Sequence, residues 1–315
     1  MYELDTILKV PLGGLRQKIH ILGARRGNPI LLFLHGGPGV PNRAGVLRSY
    51  QDLCDDFTLV AWDQRGTGGS YWGARACDLT VDRLVEDARE LCDFLCDTLE
   101  QDKLSLVCGS WGTQLGTLLA NRYPRRVAAY VGSAQAVDGA RNEELSYAFA
   151  LQKAKEAGNR EDVARLEAVG PPARGQYRGG FRGLMTQRDL MKKYGGYSTA
   201  QREKSFVATF AKPMLQSGEY TPSDLLGIWL GYQKTLRVMW PRLTGYDFIH
   251  ECSAFAMPYY IFQGRHDSNT PSALVEEFYQ SIQAPAKDLI WFENSGHSLA
   301  GEMEKYKRLL REKLL

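Results

Sequence analysis

The chain has 315 residues, 44% of them hydrophobic, and a formal net charge of +3. That length and apolar content suit one large domain with a sizeable core, and the charge is too mild for a nucleic-acid binder. No apolar run approaches the ~18 residues of a membrane span, and Met1-Tyr-Glu-Leu-Asp-Thr6 lacks the basic and apolar regions of a secretion signal, so a cytoplasmic protein with reduced cysteines is expected.

Alternating residues predict strands near 3–10 and 16–23. Ile30 to Leu34 is a short continuous apolar run, which suits a strand buried on both faces. It empties into His35-Gly-Gly-Pro-Gly39, too rich in glycine for a helix. Glycines let backbone approach a ligand with N–H groups turned inward, which is what an oxyanion hole demands. The plainer reading is a Gly-Pro turn. A helix near 44–54 and a strand near 58–62 follow. The strand runs into Asp63-Gln-Arg-Gly-Thr-Gly-Gly-Ser70. No chemistry obliges these residues to react, and a loop-bracing network of Asp63 and Arg65 is expected. Thr80 signals a helix near 79–99. Its stripe of Leu84, Ala88, Leu91 and Leu95 takes Cys92 and Cys96 into core packing, since no Cys or His pair with ligand spacing joins them.

A strand near 104–108 then stops at Gly109-Ser110-Trp111-Gly112, and a helix near 112–123 begins. Small residues around a serine between strand and helix describe a nucleophile elbow, with the hydroxyl exposed on a strained turn. Ser110 is therefore the candidate nucleophile, and Cys108 fills the position where the pattern has its first glycine. After a strand near 127–132 the alternation of strands and helices breaks. Helical patterns at Glu143–Ala157 and Arg160–Val169 lead to a Gly/Arg-rich loop at 170–183, whose Arg174, Arg178 and Arg182 read as solvated. Further helical pieces follow, with no clear strand until 258–263 and 287–292. Helices near 271–283 and 300–313 complete the chain.

Each late strand ends at an ionisable residue, Asp267 in Gly264-Arg-His-Asp267 and His297 in Ser295-Gly-His297. Ligands of open α/β sheets bind at that edge. The chain order Ser110, Asp267, His297 is the order of an α/β-hydrolase triad. Of the five histidines, His20 lies in an early strand, His35 in the glycine turn, His250 ahead of a strand and His266 beside the acid. Only His297 stands on its own late strand-end loop, which makes it the candidate base. Such a triad needs no metal or organic cofactor. The expected architecture is a mostly parallel, doubly wound eight-stranded α/β sheet. A helical cap at 136–250 would separate core segments 1–135 and 251–315.

His35-Gly-Gly-Pro-Gly39, Asp63-Gln-Arg-Gly-Thr-Gly-Gly-Ser70, Gly109-Ser-Trp-Gly112, Gly264-Arg-His-Asp267 and Ser295-Gly-His297 together resemble the proline iminopeptidase branch of the α/β-hydrolase superfamily. The resemblance covers about residues 15–135 and 250–315. It implies Ser110 as nucleophile, Asp267 as acid and His297 as base, with the N–H groups of Gly37 and Trp111 as the oxyanion hole. Cys108 and the residues after His297 depart from the family pattern. In that branch acidic cap residues hold the substrate's free α-amine and aromatics hold the proline ring. Rough spacing from Asp267 makes Glu203 the best match for the amine, with Glu219, Asp224 and Asp247 as rivals. Each reads equally as a solvated helix charge. Phe206, Trp229, Tyr232 and Trp240 would line the pocket or, equally, form the core of the cap. The implied activity is an aminopeptidase releasing N-terminal proline, or another small residue, from short peptides. A carboxylesterase or lactonase, and a hydrolase-fold receptor for a small molecule, remain alternatives. Dehalogenases and epoxide hydrolases need Asp at the elbow, where this chain has Ser110. The expected partner is a small-molecule or short-peptide substrate, with no nucleic acid and no membrane. The oligomeric state is not legible.

Overall fold

Eight strands form one sheet in a computed structural model that describes residues 2–198 and 212–315. They are β1 (Leu4–Leu12), β2 (Leu15–Gly23), β3 (Ile30–Leu34), β4 (Thr58–Trp62), β5 (Leu104–Gly109), β6 (Val127–Ser133), β7 (Tyr259–Gly264) and β8 (Lys287–Phe292). Their order across the sheet is β1-β2-β4-β3-β5-β6-β7-β8. Only β2 runs against its neighbours, β1 and β4. The strands from β3 to β8 pair in parallel.

The continuous apolar runs explain this arrangement. In β3, Leu32 and Leu34 enter one core cluster, while Leu31 and Phe33 enter the other. Tyr259 and Ile261 of β7 face the first cluster, and Tyr260 and Phe262 the second. Successive side chains of a strand point to opposite faces, so a strand with no polar alternation needs cover on both. Helix α1 (Arg43–Ser49) covers the second face through Leu47, while α2 (Val81–Thr98) and α3 (Trp111–Arg122) cover the first. Helix α2 buries Leu84, Val85, Ala88, Leu91, Cys92, Leu95 and Cys96 along one stripe, each large apolar member contributing about 1.5–3 kcal/mol. The Thr80 side chain caps α2 by accepting the Arg83 N–H. Helix α1 is shorter than its expected span, and a 3₁₀ turn at Gln51–Leu53 takes over.

Between β6 and β7 the described chain forms α4 (Gly139–Glu156), α5 (Arg160–Val169), α6 (Phe181–Lys193), α7 (Lys212–Gln216), α8 (Pro222–Leu243) and α9 (Phe248–Glu251). The Gly/Arg-rich loop ends earlier than its composition suggests, because α6 starts at Phe181 directly after Gly179 and Gly180, both at positive φ. Arg174, Arg178 and Arg182 are exposed, as expected. Tyr147, Ala150, Leu166, Leu184 and Leu190 give α4, α5 and α6 a small core of their own. Helix α8 lies across the loop after β4. Side chains at Gly227 and Gly231 would overlap the carbonyl oxygens of Gly68 and Gly66, so this approach depends on two glycines one turn apart.

Ion pairs fasten the inserted helices to β2 and α1. Lys18 Nζ lies 2.5 Å from Asp224 Oδ2, and His20 bridges Glu219 at 2.7 Å and Asp5 at 2.8 Å. Arg43 donates to the Glu219 carbonyl at 3.0 Å. Burial lowers the pKa of His20, but Glu219 and Asp5 more than offset it, leaving His20 above the usual histidine value. After β7 and β8, α10 (Ser272–Ser281) packs on the first face and α11 (Met303–Leu314) on the second. Among the described residues no helix is long and apolar enough to cross a membrane.

Candidate active site

Strand β5 ends at Gly109 and α3 begins at Trp111, so Ser110 makes the turn between them. Its backbone stands at φ 53° and ψ −121°. A side-chain-bearing residue held there stores roughly 1–3 kcal/mol of strain, a feature that clusters at functional sites. The neighbours hold the turn in place. The Ser110 N–H donates to the Ser133 carbonyl at 2.9 Å. A Cβ on Gly112 would overlap the carbonyl oxygen of Leu34, so α3 reaches the end of β3 only with glycine at that position. The Cys108 sulfur fills space that a side chain at Gly116 would need. Glycine in α3 therefore makes room for the residue that departs from the elbow pattern. Burial pushes the Cys108 thiol well above its ordinary pKa, which leaves it an inert packing group.

Ser110, Asp267 and His297 come together at the ends of β5, β7 and β8. His297 Nε2 lies 3.0 Å from Ser110 Oγ, and His297 Nδ1 lies 3.0 Å from Asp267 Oδ2. The loop after β7 fixes the Asp267 carboxylate. Its Oδ1 accepts the N–H groups of Asn269 and Thr270, each at 2.8 Å. Its Oδ2 accepts the Thr270 hydroxyl at 2.6 Å. Asp267 is 4% exposed and His297 9%, so this ladder of hydrogen bonds is shielded from water. The side-chain amide of Asn269 lies 3.2 Å from His297 Nε2.

The glycine turn lies against the elbow. A Cβ on Gly36 would come within 3.2 Å of the Ser110 Cβ, so the glycine turn packs on the elbow at Gly36. Trp111 opens α3, so its N–H has no carbonyl one turn earlier in the helix to bond. The loop after β4 is braced, but not by one network. Asp63 accepts from Arg43 Nε at 2.9 Å and from the Gly69 N–H at 2.8 Å. Arg65 instead pairs with Asp87 at 2.6 Å and donates to the carbonyls of Leu12 and Gly13. The two side chains leave the loop in different directions and hold different elements.

The inserted segment reaches the histidine. The His297 N–H donates to the Tyr197 carbonyl at 2.8 Å, and the Ser268 N–H to the Gly196 carbonyl at 2.9 Å. The Tyr197 ring lies against the imidazole, with centroids 4.7 Å apart. Asn142 of α4 donates to the Asn269 carbonyl at 3.0 Å. Of the expected substrate contacts, Tyr232 stands beside the glycine turn, its Cα 3.3 Å from where a Cβ on Gly39 would lie. Trp229 does not join it. It sits about 200° round α8 from Gly227, on the face away from the core, and is 67% exposed. Trp240 is half-buried, with the Arg188 guanidinium 5.1 Å from its ring. Glu203 and Phe206 lie outside the described residues. The other acidic candidates have partners in the fold. Glu219 and Asp224 fasten the inserted helices to the sheet, and Asp247 caps α9. Among the described residues no group of three or more His, Cys, Asp or Glu could hold a metal.

Asn269 and Tyr197 are not singled out by the sequence, and Thr270 only as a helix-start signal with Pro271. Asp267-Ser-Asn-Thr270 carries a local signal for Asn269 and Thr270, because an Asp side chain readily accepts the amides two and three residues on. No local signal marks Tyr197, whose contact with His297 spans 100 positions.

The alpha/beta hydrolase fold family model matches residues 29–302. The chain is 28% identical over 300 residues to the probable aminopeptidase YbaC of Bacillus subtilis, covering 94% of this chain and 92% of that protein. A stretch of 111 residues is 36% identical to a proline iminopeptidase of Neisseria gonorrhoeae, 33% of each chain. The fold is similar to the solved proline iminopeptidase of Mycobacterium smegmatis, with a TM-score of 0.70 at 18% identity over 98% of this chain and 97% of that one.

Proposed function

This chain belongs to the alpha/beta hydrolase fold family, and from that premise we propose that it is a serine hydrolase releasing an N-terminal proline, or another small residue, from short peptides. The observation that carries the hydrolytic part is the hydrogen-bonded run from Asp267 through His297 to Ser110, with both links at 3.0 Å. A serine hydroxyl is a poor nucleophile until a base removes its proton. His297 Nε2 is within reach to take that proton and later to give it to the leaving amine. Asp267 holds the Nδ1–H tautomer and stabilises the imidazolium as it forms. Ser110 Oγ attacks the carbonyl carbon, and the resulting oxyanion is received by the N–H groups of Gly37 and Trp111. One such donor is worth about 3 kcal/mol of barrier. Collapse expels the amine and leaves an acyl-enzyme, which water hydrolyses by the same steps in reverse roles.

The peptidase part rests on similarity to proteins named as a probable aminopeptidase and a proline iminopeptidase. We take 136–250 as a cap that chooses the substrate. Tyr197 and Tyr232 would contact the substrate from the cap, and Glu203 is our candidate for the substrate's ammonium group. The test compares three chromogenic substrates: a proline amide with a free amine, the same amide with the amine acylated, and a short-chain ester. Cleavage of only the free-amine amide supports the peptidase reading. Equal turnover of the blocked amide overturns it. Cleavage of only the ester, lost in Ser110→Ala, keeps the hydrolase and makes it a carboxylesterase.

A further inference from the structure

Gln64 follows Asp63 in the loop after β4, is 1% exposed, and has no part in the steps above. Its side chain ties together the two segments that carry the proposed oxyanion donors. Gln64 Nε2 donates to the His35 carbonyl at 3.1 Å, and Gln64 Oε1 accepts the Trp111 indole N–H at 2.9 Å. Its backbone N–H faces His35 Nε2 at 3.3 Å. A backbone amide can only donate, so Nε2 is the bare ring nitrogen and Nδ1 carries the proton. That Nδ1–H donates to the Gly36 carbonyl at 2.9 Å. In a planar trans peptide the carbonyl and the next N–H point in opposite directions. Holding the Gly36 oxygen against the imidazole therefore turns the Gly37 N–H away from it.

We infer that Gln64 is the positioning residue of the oxyanion hole, orienting the Gly37 amide through His35 and the start of α3 through Trp111. The inference rests on the serine-hydrolase reading above. Burial supports it by pulling His35 down to about 4, so the ring stays neutral and keeps this tautomer across ordinary pH. Gln64 touches no reacting atom, and its effect is carried by the donors it aligns.

The test uses Gln64→Met, which keeps the length of the side chain and removes its amide. Two ligands are compared. One is a trifluoromethyl ketone, which a reactive serine converts to a hemiketal oxyanion. The other is the corresponding alcohol, which forms none. Turnover is expected to fall about ten-fold or more, a part of the ~10²–10³ lost with a whole oxyanion donor. Ketone affinity should fall in step. KM and alcohol affinity should stay near wild type, while the melting temperature should drop by a few degrees as the buried Trp111 N–H and His35 carbonyl lose their partner. Trp111→Phe removes the indole bond together with part of a buried ring and should give a smaller loss of turnover and ketone affinity, with a fall in melting temperature from the lost packing. The double variant should lose no more than Gln64→Met alone, because both remove one shared link. Unchanged turnover and ketone affinity in Gln64→Met would overturn the inference, as would equal losses for ketone and alcohol. Were Gln64→Met to misfold, Trp111→Phe decides by the same comparison. A wild-type protein that forms no adduct with the ketone would instead overturn the serine-hydrolase reading.

Discussion

The strand-end loops and the inserted helices meet at His297, yet they are specified in different ways. The elbow at Ser110 and the acid loop at Asp267 are short segments whose key residues are close in sequence, although the elbow also rests on the end of β3 and on Ser133. Gly112 admits α3 beside Leu34, and the amides of Asn269 and Thr270 close on Asp267. The inserted helices are fixed by partners far along the chain, such as Lys18 with Asp224, His20 with Glu219, and Tyr197 with His297. On the function proposed above, the strand ends hold one chemistry while the insertion varies what reaches it.

The strongest way to break this division is at the elbow. Gly112→Ala forces a methyl group onto the Leu34 carbonyl. Neither backbone can yield easily, so a loss of about 3 kcal/mol is expected in urea unfolding, with turnover of every substrate reduced together. Near-wild-type stability would show that the close approach of α3 to β3 is not required. A smaller effect, on selectivity, belongs to the insertion. Tyr197→Ala removes the ring from His297 but keeps the backbone carbonyl that accepts its N–H. The ratio of amide to ester turnover should shift about five-fold, the equivalent of ~1 kcal/mol. The rate at which Ser110 reacts with a small phosphonate should change far less. A parallel fall of both would assign Tyr197 to the histidine's positioning instead.

The smallest expected effect is a pH dependence of the joint between the two regions. The pKa of His20 is raised in the fold, so its stabilising contribution is complete below its unfolded value of about 6.5 and is lost as pH rises through the folded value. The melting temperature should fall more between about pH 6 and pH 8 in the wild type than in His20→Gln. Equal slopes would remove His20 from the joint.

The sheet was legible because buried parallel strands are continuous apolar runs, as in Ile30–Leu34 and Thr58–Trp62, and all eight strands lie where those runs and alternations put them. Ser110, Asp267 and His297 were legible for the same reason, each standing where such a run ends. In the insertion the helices at 143–157 and 160–169 were legible, since α4 and α5 lie there, but the side-chain contacts were not. Its helices carry mixed polar and apolar faces because they bury against one another and against loops, so Trp229 and Tyr232 looked alike in sequence. The approach of Tyr232 to Gly39 and the exposure of Trp229 separate them. The acidic candidates were ambiguous because Glu219 and Asp224 find their cations on β2 and α1, some two hundred positions earlier. Gln64 stood in a motif already singled out, but its role needs His35 and Trp111 in view together.

The most direct measurement is labelling with a fluorophosphonate, followed by mass spectrometry of the digested protein. The reagent loses fluoride as a serine oxygen bonds to phosphorus, so it reports nucleophile activation without any assumption about substrate. One adduct is expected, on the peptide containing Ser110, absent in Ser110→Ala and slowed about a thousand-fold or more in His297→Ala. An unlabelled wild-type protein, or labelling at Ser110 that ignores the loss of His297, would contradict the serine-hydrolase reading.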